Sequence, residues 1–370
     1  MSTIPEKIDT WQMVQPAVRD KETGSVTPGK LERTSIPVPP LSPEEVLVEV
    51  AGCGVCHTDL GYFYDGVPTV QKPPLTLGHE ISGRVIAGDE NWIGKEVIIP
   101  AVMPCRRCIL CKTGRGNRCL AQKMPGNSLG IYGGFSSHIP VPSVDLCEVR
   151  NRGDIPLEHL AVVADAGTTP FQAARRADLQ PGDRVVVIGV TGGVGVYMAQ
   201  TAKALGAKAV IGIARNPEKL ERALNYGADF VINSQGKGPR DVRKEFREIC
   251  KENGLEGGFG WKIFEVSGTK GGQEIALELL SFTGKLVVIG FGMAKVEYSI
   301  SRLMAFDAEI IGTWGCLPEY YPIVLDMVVS RRIDVEPFVE VRPMSQIQSV
   351  FEEVHEAGSP ARRIVLKPDF

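Results

Sequence analysis

The chain has no surplus of charge of either sign: 41 Lys and Arg stand against 44 Asp and Glu, a formal net of −3 over 370 residues. Such a balance offers no global positive field toward nucleic acid or an anionic membrane, and no basic patch interleaved with aromatics runs along the sequence. A membrane span is also missing. The longest uncharged stretch, Val185 to Ala202, approaches the required length but contains Gly189, Gly192, Gly193 and Gly195, and it reads as strand, turn and helix. The opening residues MSTIPEKIDTWQ place charges and a proline where a secretory leader needs an apolar core, so a cytoplasmic location is expected. Internal repeats and low-complexity segments are absent. Disorder is excluded by composition, because 43% hydrophobic and 23% charged residues match the globular average. The length exceeds what one core serves and predicts two or three domains.

What is present divides the chain. Up to about residue 150, short β-like runs (Val46 to Val50, Ile81 to Ala87, Lys95 to Pro100, Phe135 to Pro140) alternate with Pro and Gly turns, predicting a small, loop-heavy β domain. From Arg184 the pattern changes to apolar runs separated by helical stretches: RVVVIG then 192–206, AVIGIA then 217–226, DFVINS then 240–252, WKIFEVSG then 271–282, then KLVVIGF and EIIGTWG. Buried runs alternating with helices predict a doubly wound parallel sheet, so the fold class is α/β. The text past residue 332 returns to short strands around one helix at 344–357, as if rejoining the first domain. The expected division is 1–165, 166–331 and 332–370.

Nine cysteines are an odd number, and four of them crowd into CRRCILCKTGRGNRC. In a large chain without a leader this points to metal before disulfides. Cys105, Cys108, Cys111 and Cys119 are spaced so that four thiolates can converge on one tetrahedral zinc, which suits the set better than an iron–sulfur cluster does. A filled shell has no open position, so this metal would be structural. The flanking Arg106, Arg107, Lys112, Arg115 and Arg118 are expected to lower the thiol pKa values and offset the thiolate charge. Cys53, Cys147, Cys250 and Cys316 read as small buried hydrophobes.

A second set is open. Cys56 in GCGVCHTDL and His79 in LGHE each lie beside glycines that permit a tight turn. Asp165, in VVADAGTTPFQA, falls just before the nucleotide-type half. Taken singly each is as readily a packing or capping residue, but together thiolate, imidazole and carboxylate make a three-donor site with a vacancy for water or a substrate oxygen. Thr58 could pass on an alcohol proton. Asp59 and Glu80 suit a supporting role, accepting the free N–H of a ligating imidazole.

RVVVIGVTGGVGVYMAQ reads as strand, glycine turn and helix, so Gly189, Gly192, Gly193, Val194 and Gly195 are expected to set backbone N–H groups against a dinucleotide pyrophosphate. The next strand ends at Ala214, followed by Arg215 and, four residues on, Lys219. An acid there would accept from the adenosine ribose and repel a 2′-phosphate. Its absence, with a guanidinium alongside, leans toward NADP on charge alone.

These motifs appear in the order found in the zinc-dependent medium-chain alcohol dehydrogenases, and the resemblance covers essentially the whole chain. It implies a GroES-like catalytic domain made from both chain ends and a Rossmann domain between them. It implies two zinc ions per chain: a catalytic one on Cys56, His79 and Asp165, with Thr58 as proton relay, and a structural one on the four clustered cysteines. His57 matches a cofactor-phosphate position, and Thr169, Val266 and Phe291 match positions lining the cofactor. Two departures stand out: aspartate replaces the second cysteine ligand of many members, and Gly61 stands where many have a relay histidine. Within the family, the stretch from Cys111 to Pro142 is similar to dehydrogenases that oxidise a ring alcohol on a coenzyme A thioester with NAD. That implies NAD and a small-molecule acyl-CoA substrate, and NAD is favoured over NADP because loss of the acid removes a preference without creating a phosphate site. The family resemblance implies a homo-oligomer (dimer or tetramer), for which KLVVIGF to EIIGTWG offers an edge. The competing readings are an alcohol or polyol dehydrogenase acting on free alcohols and a dinucleotide-sensing protein without turnover.

Overall fold

A computed structural model describes residues 4–20, 22–357 and 362–370. The chain forms two compact units.

The first unit takes in Met1–Thr168, Gly315–Val329 and Val335–Phe370. Its hub is the strand Glu45–Gly54, in which Val46, Leu47 and Val48 are all buried, so the strand has core on both faces. It pairs antiparallel with Glu80–Gly88, His138–Pro142 and Arg363–Lys367. Beyond Glu80–Gly88 the sheet continues to Glu96–Ile99 and Cys147–Glu148; beyond Arg363–Lys367 it ends with the parallel strand Val339–Pro343. The helix Ile347–Ala357 places Phe351 edge-on to Phe63 and Phe135, with centroids 5.5 and 5.6 Å apart, at the centre of the apolar core. The expected β runs therefore form strands, and the carboxyl end rejoins the first unit's sheet.

The second unit takes in Thr169–Trp314 and Ser330–Asp334. Its six parallel strands are β1 (Arg184–Ile188), β2 (Ala209–Ala214), β3 (Phe230–Asn233), β4 (Trp261–Glu265), β5 (Lys285–Val288) and β6 (Glu309–Gly312). Their spatial order is β3-β2-β1-β4-β5-β6. That order reverses between β1 and β4, and open α/β sheets bind ligands at the carboxyl ends of the strands flanking such a switch. The crossover helices are α1 (Gly195–Ala204), α2 (Pro217–Leu224), α3 (Pro239–Glu252) and α4 (Lys270–Leu279). Val185, Val186 and Val187 are fully buried, as a central parallel strand requires. Among the described residues no helix is long and apolar enough to cross a membrane.

Two details differ from the sequence reading. Helix α1 begins at Gly195 and not at 192, because Gly192 N–H turns back onto the Gly189 carbonyl at 2.9 Å and keeps the glycines in the loop. The stretch Gly315–Val329, placed by sequence in the nucleotide unit, belongs to the first one. Its helix Tyr321–Val329 buries Tyr321, Val324, Leu325, Met327 and Val328 there. The chain then dips back at Ser330–Asp334, where Asp334 N–H bonds the Gln200 side chain at 2.7 Å.

Candidate active site

Cys56 caps the helix His57–Tyr64 with an extended backbone, and its side chain and that of Asp59 form a capping box at the helix start. Three residues on, the Asp59 carboxylate folds back beneath the cap. Oδ2 accepts the Cys56 N–H at 3.1 Å, and Oδ1 accepts the Gly78 N–H at 3.0 Å and stands 3.3 Å from His79 Nδ1. One fully buried carboxylate thus fixes both the thiol-bearing cap and the imidazole. Gly78 makes this possible: its φ is +94°, and a Cβ there would lie 2.7 Å from the Cys53 sulfur. With Nδ1 held, His79 presents Nε2 on the other side, 3.7 Å from Asp165 Oδ2. The Asp165 oxygen is in turn 3.9 Å from Cys56 Sγ, and Thr58 Oγ1 is 3.7 Å from the same sulfur. Asp165 projects from the end of the 3-10 helix Leu157–Ala164.

Glu80 behaves differently from the sequence expectation. Among the described residues, Asp59 and not Glu80 bonds the imidazole Nδ1. Fully buried, Glu80 faces the donor set, with its carboxylate and the Cys56, His79 and Asp165 donor atoms all within 4.8 Å of one another. It is paired with Arg363, whose Nε lies 2.9 Å from Oε2 and whose Nη2 meets Oε1. Burial raises the Glu80 pKa while the guanidinium opposes the rise. Arg363 was not singled out by sequence; the one signal was a cation beginning the apolar strand RIVLK. His57 lies at the helix start and is exposed. Partial desolvation, then the Arg363 charge, lowers its pKa.

The four clustered cysteines also converge, with Sγ atoms within 4.8 Å of one another, Cys108 lying 3.5 Å from Cys111 and 3.8 Å from Cys119. Backbone donors aim at the sulfurs: Cys105 N–H and Ala121 N–H at Cys119 Sγ (3.2 and 3.3 Å) and Cys108 N–H at Cys105 Sγ (3.4 Å). The Cys111 and Leu120 N–H groups bring the Cys108 thiol down to about 6, whereas burial and the neighbouring sulfurs push Cys111 up to about 12. The expectation that flanking cations do this is corrected. Arg106 pairs with Asp145, and Arg107, Lys112, Arg115 and Arg118 are exposed. All nine cysteines are free of disulfides.

In the second unit the loop after β1 is compact. Gly189 has φ +85°, and a Cβ on Gly195 would stand 2.1 Å from the Gly189 carbonyl, so the first turn of α1 sits directly on the loop. Val194 occupies the N-cap position. Ala214 ends β2 buried, and Arg215 follows it, exposed. Asn216 caps α2 by accepting the Lys219 N–H at 2.9 Å. Val266 N–H bonds the Ile188 carbonyl at 3.0 Å, which places it at the β1/β4 switch. Thr169 lies in the helix Thr168–Arg176, and Phe291 is 72% exposed on a loop whose backbone closes on Gly268. Sequence reasoning missed Glu265 here. This buried carboxylate accepts the Ser267 and Gly268 N–H groups at 2.9 and 3.2 Å, shaping the loop beside Gly189. An acid closing the apolar strand WKIFE was its signal.

Comparison with known proteins supports the same division. Residues 42–151 match the alcohol dehydrogenase GroES-like domain and residues 193–330 the zinc-binding dehydrogenase domain. An alcohol dehydrogenase of Geobacillus stearothermophilus is 31% identical over 346 residues, covering 91% of this chain and 95% of its own. An NAD-dependent alcohol dehydrogenase of Sulfurisphaera tokodaii is 30% identical, covering 80% and 84%. The chain belongs to the zinc-dependent medium-chain alcohol dehydrogenase family. The same fold occurs in a thermostable alcohol dehydrogenase from Pyrobaculum aerophilum holding cobalt and zinc, with a TM-score of 0.80 at 23% identity over 98% of this chain and all of that one.

Both donor sets of this dehydrogenase fit zinc. Tetrahedral bonds of about 2.0–2.3 Å give edges of roughly 3.3–3.8 Å; two pairs in each set lie 3.5–3.9 Å apart, and all donors of a set lie within 4.8 Å of one another. Four thiolates close one shell. In the other, thiolate, imidazole and carboxylate lie within 4.8 Å of one another and of the Glu80 carboxylate, which Arg363 engages.

Proposed function

We propose that this dehydrogenase oxidises a secondary alcohol to a ketone, reversibly, with Cys56, His79 and Asp165 holding the catalytic zinc and Cys105, Cys108, Cys111 and Cys119 the structural one. The observation that carries the reading is the convergence of the three donors, from segments far apart in the chain, over a carboxylate that fixes two of them. When bound, zinc would supply Lewis acidity toward the alcohol oxygen and the nicotinamide would supply the hydride acceptor. Asp59 holds His79 Nδ1 so that the tautomer leaves Nε2 free to ligate. Thr58 takes the alcohol proton on Oγ1 and gives up its own. At Gly61 no imidazole continues the relay, and a Cβ there would make only an ordinary 3.5 Å contact with Val67, so packing does not impose the glycine. The proton leaves Thr58 through water, a ribose hydroxyl or the substrate. The loop Gly189–Gly195 would hold the pyrophosphate, with His57 proposed for a cofactor phosphate and Thr169, Val266 and Phe291 for the cofactor lining.

For the substrate we propose 6-hydroxycyclohex-1-ene-1-carbonyl-CoA, oxidised to the 6-oxo compound in anaerobic benzoyl-CoA degradation, with NAD. Support comes from the likeness of Cys111 to Pro142 to 6-hydroxycyclohex-1-ene-1-carbonyl-CoA dehydrogenase and from Gly61, which departs from the usual relay. Loss of the ribose acid at Ala214 removes a preference without building a phosphate site, so NAD stands ahead of NADP. The enzyme is proposed to act in the cytoplasm as a homo-oligomer. The edge strand β6 and the exposed Met304 beside it supply an apolar margin for a second copy.

Reduced-nicotinamide absorbance, crossing NAD and NADP against a cyclic hydroxyenoyl-CoA and a panel of free alcohols and polyols, tests the reading. Turnover confined to the thioester with NAD is expected. Turnover with free alcohols alone would replace the acyl-CoA substrate, and cofactor binding without any turnover by zinc-loaded protein would favour the sensor.

A further inference from the structure

Cys56 and His79 are fixed by Asp59, but Asp165 enters the site on a separate segment, and a different group holds that segment. Tyr321, fully buried at the first residue of the helix Tyr321–Val329, donates its hydroxyl to the Ala164 carbonyl at 2.5 Å. The same hydroxyl accepts the Ala101 N–H at 3.0 Å, just beyond the strand Glu96–Ile99. Ala164 immediately precedes Asp165. Thr168 Oγ1 adds two longer contacts, 3.4 Å to each of the Ala164 and Asp165 carbonyls. Ala101, Ala164, Thr168 and Tyr321 are all buried, so no water competes for these bonds.

We infer that Tyr321 is a positioning residue for Asp165: its phenol bolts the peptide that carries this carboxylate to the neighbouring strand, and so sets the Asp165 oxygen against Cys56 Sγ and His79 Nε2. Phenylalanine at this position would fill the same volume while leaving the Ala101 N–H without its acceptor and the Ala164 carbonyl with only the longer Thr168 contact. Asp165 would then have freedom to drift from the other two donors. Groups that orient a metal's ligands change affinity by roughly 10–100-fold when removed, and the effect should fall on this site alone, because the thiolate lobe shares none of these bonds.

The inference rests on Cys56, His79 and Asp165 forming a metal site, and the experiment separates the two. The full-length protein is loaded with cobalt(II), and uptake and the visible ligand-field bands are followed for wild type, Tyr321→Phe and Thr168→Val. Wild type should take two ions per chain. Tyr321→Phe should bind the second ion about tenfold more weakly, with shifted bands, while the four-thiolate ion is held as before. Thr168→Val should shift the same bands less, and it serves if Tyr321→Phe does not fold. Two ions in every protein, with identical affinity and spectra in both variants, would overturn the role of Tyr321 and leave the metal site standing. A single ion in wild type, on the four cysteines, would overturn the site and the role together.

Discussion

The two donor sets of this molecule are built in opposite ways. The four-cysteine lobe lies within fifteen consecutive residues, Cys105 to Cys119, and its thiols are tuned by backbone N–H groups from that stretch and the two residues after it. The Cys56–His79–Asp165 site draws on three segments, the last of them 109 residues beyond the first, and it depends on a buried carboxylate, a buried ion pair and a buried phenol to keep register. A local set needs only its own turns to form. A dispersed set needs the sheet that carries it, and in return it can keep one side open for chemistry.

The largest expected break in this comparison is functional. Cys56→Ala should lower kcat/KM on the order of 10³-fold or more, since the Lewis-acid contribution amounts to several kcal/mol. Cys111→Ser should act through stability and leave kcat per folded molecule within roughly threefold. Metal content, melting temperature and steady-state rates on both variants check this, and equal rate losses would erase the functional distinction. Next is Arg363→Met, which strands the Glu80 carboxylate in the core. It should destabilise the protein by about 3–5 kcal/mol, read from urea unfolding, and the double change with Glu80→Gln should recover much of that. A smaller effect is expected for Asp59→Asn, which weakens the hold on His79 Nδ1. Metal affinity at the dispersed site should fall roughly 10–100-fold with the lobe's ion retained, as competition with a chelator would reveal. The smallest concerns the lobe's cations. Arg107→Gln and Arg115→Gln, both at exposed positions, should each change stability by no more than about 0.5 kcal/mol and leave metal retention unchanged. A large loss would restore the charge argument that the backbone geometry replaces.

Much of the molecule was legible in the chain itself. The alternation of RVVVIG, AVIGIA and WKIFE with helical stretches identifies a parallel sheet because strands buried on both faces must be continuously apolar. The spacing of Cys105, Cys108, Cys111 and Cys119 identifies a metal lobe because nearby residues are close whatever the rest of the fold does. Asp59 and Glu80 were legible together as carboxylates suited to a ligating imidazole, but the contact of Asp59 with the Cys56 N–H was not. Arg363 was not, being 283 residues from the Glu80 it neutralises, and Tyr321 was not, since a tyrosine opening an apolar helix carries no mark of the carbonyl it will meet. Helix α1 was read as starting three residues too early because glycines in a tight loop and glycines in a first helical turn look alike until the backbone closes.

By itself, then, the sequence determined the kinds of structure and the inventory of chemistry: two units of different type, a closed thiolate site, a glycine loop and the donors of an open site. Only the tertiary structure decided which carboxylate orients His79, which one faces Arg363, and which unit receives the helix Tyr321–Val329. The physical reason is range. Turn, strand and helix preferences and short ligand spacings act between neighbours along the chain, whereas burial joins residues hundreds of positions apart and demands a partner for every polar group it takes from water.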